Sequence, residues 1–454
     1  MKSCLLSISF FLILLTSFSQ GIPEINHWFF SNYTGIDFSS GTPVEEHGNV
    51  AFTEGCASVS DRNGHLLFYT DGVTVWDKNH HVMLNGTGLK GQSSSTQAAL
   101  ITQKPCSKNI YYIFTTTNEG NADGLQYSEV NMRLNGGLGE VTSLKNIQLT
   151  TPIAEKLCVI SNSNKRDLWL ISREPASNRF FSYSITEDGV NTSPIVSIAG
   201  ESMNGIGSEG VGYLKASLDG QTIVSVNSNH STVDILNFDA STGNISDRLN
   251  FPFNHGYGTE FSPNGKLLYL ASWISYEIYQ FDLTQQTTSA IVASQTLIGT
   301  CNSMVISLQL GPDKKIYFGK YDRLSLGCIK NPDTPGIGCN FTEIAVPLTG
   351  DRCEGTLPTF QMNYHYNSQG CEQLEIPNII TPNGDALNDV FQIKNSDMGQ
   401  FSLNISNRWG NTVFFSDTYL NNWSGENLPD GTYFYTIWDT DSEQTFTGFV
   451  QVIR

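Results

Sequence analysis

Glutamate followed by glycine recurs at Glu54-Gly55, Glu209-Gly210 and Glu354-Gly355, each time shortly before an apolar run that reads as a strand. If those runs are the innermost strands of a closed ring of sheets, the loops leading into them surround one mouth of its channel. Three carboxylates converging there would bind a cation or a polar ligand. The alternative is that each glutamate caps its own loop. Other chemistry is scarce. Gly205-Ile206-Gly207-Ser208-Glu209-Gly210 matches the dinucleotide pattern G-x-G-x-x-G, but Val211 to Ser217 lead to another Asp-Gly turn and not to a helix, so a pyrophosphate has no helix N-terminus to bind. There is no G-x-S-x-G, H-E-x-x-H or Walker loop, the eight histidines are scattered, and His80-His81 falls in a predicted turn. No catalytic residue is assigned, and no cofactor is required.

The elements that must position these loops form a repeat. Turns followed at once by apolar strands stand at Asp61-Arg62-Asn63-Gly64, Leu218-Asp219-Gly220, Ser262-Pro263-Asn264-Gly265 and Gly311-Pro312-Asp313, with degenerate versions at Ser107-Lys108-Asn109 and Asn164-Lys165-Arg166-Asp167. Asn-Gly and Asp-Gly tolerate positive φ, and the β-branched and aromatic residues that follow make buried strands. The spacing of roughly 45 to 55 residues is that of a four-stranded propeller blade. Residues 20–371 are therefore expected to form a propeller, with seven blades as the preferred number. His27-Trp28-Phe29-Phe30 and Leu357 to Met362 are expected to share the last blade and zip the ring shut.

Residues 1–19 read as a secretory signal peptide: Lys2, then an apolar stretch from Leu5 to Leu15, then Ser17 and Ser19 at the positions a peptidase reads. That stretch is short for a membrane anchor, and no later segment approaches the length of a span. Removing Cys4 with the signal leaves eight cysteines in an exported chain, which points to disulfides. Cys328 and Cys339 flank the turn-rich Asn331 to Gly336 and are the first pair to test. The net charge of −18 comes from 43 acids and 25 bases. Such a surface argues against a nucleic-acid partner, because each phosphate contact needs a local cation.

After Cys371 the texture changes to short alternating strands. Phe401, Leu403 and Ile405 face one way, followed by Val413 and Phe415, then Tyr433, Tyr435 and Ile437, then Phe449, Val450 and Val452. Period-two patterning with turn signals every 8 to 12 residues predicts a small antiparallel, Ig-like sandwich over residues 372–454. The whole chain is thus expected to be all-β. This segment carries 11 acids and 3 bases, a far more acidic balance than that of the propeller region. Asp385 and Asp389, with Asn383 and Asn388, gather oxygen ligands that either hold calcium or build turns. Arg408 beside Trp409 makes either a recognition surface or a stacked structural turn.

Phe261 to Tyr269 resembles the strand-turn-strand unit of WD-repeat-like propellers of bacterial periplasmic and surface proteins. Asn49 to Thr96 looks like large surface-exported proteins of the Bacteroidetes. The terminal segment resembles the type B C-terminal sorting domain of the type IX secretion system, also called the gliding-motility-associated C-terminal domain. Pro377-Asn378, Thr381-Pro382-Asn383-Gly384-Asp385, Asn388-Asp389-Val390-Phe391, Asn407-Arg408-Trp409-Gly410, Trp423 with Gly425, Pro429-Asp430-Gly431-Thr432-Tyr433 and the closing Gly448 to Arg454 arrive in the family's order. Ala386, Ser406 and Ser424 depart from its usual residues. The resemblance implies engagement of the type IX machinery, transfer across the outer membrane, and an extracellular or cell-surface protein. The propeller is expected to bind a glycan, polymer or protein. The alternatives are an extracellular carbohydrate-active enzyme acting through paired carboxylates, or a structural part of the gliding or surface machinery.

Overall fold

One local device starts the blades. In the turn after an innermost strand, the first residue donates its amide to the carbonyl where the second strand begins: Asp61 to His65 (2.8 Å), Asn162 to Asp167 (2.7 Å), Ser217 to Thr222 (2.9 Å), Ser262 to Leu267 (2.8 Å) and Gly311 to Lys315 (2.8 Å). A side-chain oxygen inside the turn then accepts a further amide, as Asp219 Oδ1 does from Gln221 (3.0 Å) and Asn264 Oδ1 from Lys266 (2.9 Å). Gly64, Gly220 and Gly265 sit at φ of 86°, 69° and 69°, the left-handed conformation these turns require.

The computed structural model describes residues 21–50, 54–92, 94–117, 122–203, 210–350, 352–362, 374–385, 387–394, 401–439 and 444–454. Among them the strands before residue 348 fall into seven blades. Their innermost strands are His27–Phe30, Ala57–Ser60, Ala99–Gln103, Leu157–Ser161, Leu214–Ala216, Gly256–Phe261 and Val305–Leu310. Blade one has three strands, and the others have four or more. Blades two and three merge into one sheet through a parallel pairing of Glu140 with Leu84. The innermost strands are almost wholly buried, and the apolar cores lie between adjacent blades: Val224, Ile235 and Phe251 of blade five, for example, pack on Leu268, Leu270 and Phe281 of blade six.

The ring closes differently from the sequence expectation. His27–Phe30 pairs with Thr34–Asp37, and Leu357 to Met362 does not join that sheet. Instead it runs down the ring axis. Thr359 N donates to Cys56 O of blade two (2.8 Å), Phe360 makes a parallel bridge with Ile101 of blade three, and Gln361 accepts from Thr102 Oγ1. The Phe360 ring lies 5.7 Å from Trp28 of blade one, and Met362 Sδ lies 3.1 Å from Gln309 Nε2 of blade seven. Every residue of the segment is buried. Seven inner strands enclose a core wide enough to need filling, and a void there would forfeit dispersion contacts on every side. Pro358, which has no amide to satisfy, suits a segment with so few ladder bonds. Blade seven meets blade one through side chains: Glu354 N donates to Ser31 Oγ (2.8 Å), Thr349 N to Glu45 Oε1 (2.7 Å), and Trp28 stands edge-on to Tyr317.

Cys328 and Cys339, expected as a disulfide, are free buried thiols. Backbone bonds close their loop, Lys330 N to Asn340 O (3.2 Å) and Asn331 N to Cys339 O (2.8 Å). The thiols face different phenols, Cys328 meeting Tyr317 and Cys339 meeting Tyr269. Burial pushes the Cys328 thiol up to about 12. Cys56, Cys158, Cys301 and Cys353 are also free and buried, whereas Cys106 is disulfide-bonded. Cys371 lies outside the described residues, as do Cys4 and the expected signal peptide.

In the terminal segment, Ile379–Ile380, Gln444–Val452, Gly431–Asp439, Phe401–Ser406 and Thr412–Ser416 form one five-stranded sheet in that order. Leu403, Ile405, Tyr433, Ile437, Val450 and Val452 line its inner face, and Phe391, Ile393, Tyr419 and Trp423 from the connecting segments cover them. A register shift between Ile405 and Ser406 turns Phe414 toward this core and leaves Phe415 exposed, the reverse of simple alternation. Phe449 likewise faces outward.

Candidate functional site

The innermost strands of blades two to seven are each preceded by a loop, and several of these loops meet at one end of the ring. A cavity of about 600 Å³ opens there, with Glu54, Glu155, Tyr257, Trp273, Asn229 and Met304 among its lining residues. Gly55 explains how Glu54 reaches it. A Cβ at residue 55 would lie 2.1 Å from Ala98 N and 2.7 Å from Ser95 O, and Gly55 N donates to Ser95 O at 3.0 Å. Only glycine lets the blade-two loop lie this close to the blade-three loop. Gly355, at φ 93°, is held in the same way against Ile306, and its carbonyl accepts from Ser307 Oγ.

The two carboxyls on this wall are joined by side-chain oxygens. Tyr257 OH is 3.3 Å from Glu54 Oε1 and 3.0 Å from Thr96 Oγ1, and Thr96 Oγ1 is 3.1 Å from Glu155 Oε2. The Thr96 amide also donates to Glu155 Oε2 (2.9 Å). Tyr257 donates to Glu54 and Thr96 donates to Glu155, and either hydroxyl can serve the contact between them. Burial, then the nearby charge of Glu155, push the Glu54 carboxyl from its ordinary 4.5 up to about 7, against the opposing bond from Tyr257.

A raised acid of this kind contributes stability in its protonated form. That contribution is fully present below about pH 4.5 and is lost as pH rises through about 7. Denaturant midpoints taken from about pH 4 to pH 8 will fall over that window for the wild type. Glu54→Gln, which cannot ionise, will flatten the fall, and an unchanged slope in the variant would place the titration elsewhere.

Of the three glutamates singled out in the sequence, only Glu54 is found on the wall of this cavity. Glu354 turns to blade one, where Asn32 Nδ2 donates to its Oε1 at 3.1 Å, so it serves its own loop junction. Glu209 lies outside the described residues, as does the glycine-rich stretch before Gly210. Glu155, Thr96, Tyr257 and Trp273 were missed. One of them had a usable signal: Glu155 precedes the first turn residue Asn162 by the same seven positions as Glu54 precedes Asp61. Beneath the mouth, the buried Lys215 bonds Glu260 Oε2 (3.1 Å) and Gln309, polar groups of the channel wall beside the axial segment.

In the terminal domain, Asp385 and Asp389 shape one loop. Asp389 Oδ1 accepts from Asn383 N and Gly384 N (both 2.9 Å), and Asp385 Oδ1 accepts from Leu387 N (2.8 Å). Thr381 N donates to Asn388 O at 2.7 Å across the loop that holds Pro382. Among the described residues no cluster of three His, Cys, Asp or Glu side chains is placed to hold a metal. Asn407 Oδ1 accepts from Trp409 N (3.0 Å) and Asn411 N (3.1 Å), building the turn closed by Gly410. Arg408 sits over the Trp409 ring at 5.5 Å, and Trp409 remains 77% exposed. Its own hydrogen bonds close the turn, and the Trp409 ring lies at the surface. Asp430, just before Gly431, pairs with Arg454 at 3.0 Å and so pins the chain end.

These features define an all-β protein in which a seven-bladed propeller with a polar mouth is followed by a small terminal module. Residues 374–452 match the CHU_C type IX secretion signal domain. The chain therefore carries a type IX secretion signal, engages that secretion machinery and is delivered to the cell surface or extracellular space. No curated protein sequence matches it. Similar solved structures include a functionally unknown protein from Desulfotomaculum acetoxidans, at 11% identity and TM-score 0.44, covering 74% of this chain and 100% of that one. The periplasmic gluconolactonase PpgL of Pseudomonas aeruginosa is similar at 11% identity and TM-score 0.42, covering 79% and 95%. PorZ of Porphyromonas gingivalis, an essential bacterial surface component of the type IX secretion system, is similar at 14% identity and TM-score 0.36, covering 95% and 60%. No helix among the described residues is long and apolar enough to cross a membrane.

Proposed function

We propose that this is an exported surface propeller whose mouth binds a neutral, hydroxyl-rich ligand, a glycan outside the cell, after removal of residues 1–19 as a signal peptide. The observation that carries the reading is the hydrogen-bonded row Glu54, Tyr257, Thr96, Glu155 on the wall of an open cavity. Sugar hydroxyls both donate and accept, and such a row offers both roles. Trp273 adds an indole face, and its Nε1 finds no partner among the described residues. Two neighbouring carboxyls, Glu54 and Glu155, disfavour uronate and sulfated sugars, which would add a further negative charge.

The test is binding of the full-length chain to an array of neutral and acidic oligosaccharides, followed by calorimetry on those retained. Neutral members are expected to bind saturably. Tyr257→Phe is expected to weaken them about tenfold, the worth of one lost hydrogen bond to a buried polar partner. Absence of saturable binding, or binding untouched by both Tyr257→Phe and Trp273→Ala, would refute the reading.

A further inference from the structure

We propose that the outward face of the terminal sheet is the surface by which the secretion machinery holds this chain, and that it fits a component offering an apolar patch bordered by lysines or arginines. The proposal is independent of the ligand reading of the mouth. Phe434 and Phe449 stand directly opposite each other in the ladder between Gly431–Asp439 and Gln444–Val452. Trp438 follows Phe434 on the same side of its strand, and Phe415 is opposite Asn404, which is in turn opposite Thr436. The register therefore gathers four aromatic side chains on one face. Phe415 is 66% exposed, Phe434 47%, Phe449 46% and Trp438 40%, so no described part of the chain covers them. Thr436 and Thr447 lie between them, and among the described residues of these strands none that faces outward is charged.

An antiparallel sheet with one buried face ordinarily carries polar residues on the other. Here the inner face is already closed by Phe391, Ile393, Tyr419 and Trp423, so the outer aromatics add nothing to the core. An aromatic side chain buries about 150–250 Å² when covered, so four that are roughly half exposed present about 300–500 Å² of apolar surface, the size of functional patches on soluble proteins. A stable dimer through this face would need about 800 Å² from each partner. The remainder would have to come from a segment with 11 acids and 3 bases. Two of those bases are already engaged, Lys394 with Glu375 at 2.9 Å and Arg454 with Asp430 at 3.0 Å. A second copy brings the same acids and is repelled, as is an anionic lipid surface. A partner with cations around an apolar centre is complementary to both features. The face belongs to the secretion signal domain itself, so that partner is a component of the machinery the domain engages. A small patch also suits a signal that must be released once the chain has crossed.

The experiment is export of the full-length chain from a bacterium with an active type IX system, with an antibody to the propeller reading the amounts outside and inside the cell. Phe434→Thr, Trp438→Thr and Phe449→Thr together are expected to lower the exported fraction at least about tenfold, the scale of losing central interface aromatics. Thr447→Lys is expected to do the same, because it sets a cation in the middle of the patch at an exposed position opposite Thr436, while Thr447→Ser exports as the wild type does. Urea unfolding of the purified chains is expected to show wild-type midpoints for both variants; if the triple change unfolds the terminal domain, the single change decides. Wild-type export of Thr447→Lys together with the triple variant, or with a triple variant that does not fold, overturns the proposal. Loss of export on Trp409→Ala with none in these two variants also overturns it and moves recognition to the hairpin tip. A dimer in solution that the triple variant dissolves, with export unchanged, overturns it in favour of a second copy.

Discussion

A chain ended after Gly355 will fail to unfold as one cooperative unit, whereas a chain ended at residue 373 will keep the propeller's own melting transition. The two differ in whether they retain Leu357 to Met362, the segment that fills the ring axis. Without it, Trp28, Cys56, Ile101 and Leu310, all buried, would face a channel lined by uncovered apolar surface and by the polar groups of Thr102, Gln309 and Lys215. Water entering that channel would satisfy the polar groups and leave the apolar ones exposed. A milder form of the same test is Phe360→Ala. Phe360 is 6% exposed and lies 5.7 Å from Trp28, so truncation leaves a cavity that the rigid inner strands cannot collapse to fill, at a cost of about 3–5 kcal/mol. Urea unfolding monitored by tryptophan fluorescence measures both variants. An unchanged midpoint for the shorter chain would show the axial segment to be a passenger. Phe360 runs parallel to Ala99–Gln103, which leads away from the Thr96 loop, so the segment from Leu357 to Met362 runs away from the cavity.

This axial path was not legible in the sequence, and the reason is physical. Phe360, Gln361 and Met362 alternate apolar and polar in a way that serves a strand in a sheet and a strand inside a ring equally well. The blades were legible because each depends on a local turn whose chemistry is written in consecutive residues, as at Asp61 to Gly64 and Ser262 to Gly265. The mouth was half legible. Glu-Gly was read as a repeated unit, but position within the blade is what matters. Counting seven residues back from the first turn residue gives Glu54 in blade two, Gln97 in blade three, Glu155 in blade four and Gly210 in blade five. Glu209 is thus one position out of step with Glu54, and the partner of Glu54 carries no glycine after it. Tyr257 reaches the site from a strand with a bulge between Gly256 and Thr259, which no periodicity anticipates. In the terminal domain the spacing of Phe401, Leu403 and Ile405 predicted the inner face correctly, and the shift after Ile405 exchanged the roles of Phe414 and Phe415.

Arg173→Met will destabilise the propeller by about 3–5 kcal/mol, because it strands a buried anion between blades four and five. Arg173 and Asp234 have fully buried side chains and meet at 3.0 Å. The guanidinium also donates to Asn227 Oδ1 (3.0 Å), Ser177 O (3.0 Å) and Glu201 O, and it lies 5.0 Å from the centre of the Phe180 ring. Asn227 Nδ2 donates to Asp234 Oδ2 (2.9 Å), and Lys156 Nζ donates to Asn227 Oδ1 (2.9 Å). Burial lowers the Arg173 pKa while Asp234 raises it, so the cation is held by this partner rather than by solvent. Removing either charge leaves the other without compensation in a site that water does not reach. Asp234→Leu should cost a similar amount, and the pair Arg173→Met with Asp234→Leu should cost less than the sum of the single changes by at least about 2 kcal/mol. Urea midpoints for the four chains give the coupling directly, and additive costs would refute it. The mouth should report the same break. Lys156 adjoins Glu155 in sequence and is linked to Asp234 by two hydrogen bonds through Asn227. Arg173→Met should therefore weaken ligand binding at temperatures where the fold persists, while the double variant, with no stranded charge to pull the network apart, should recover it.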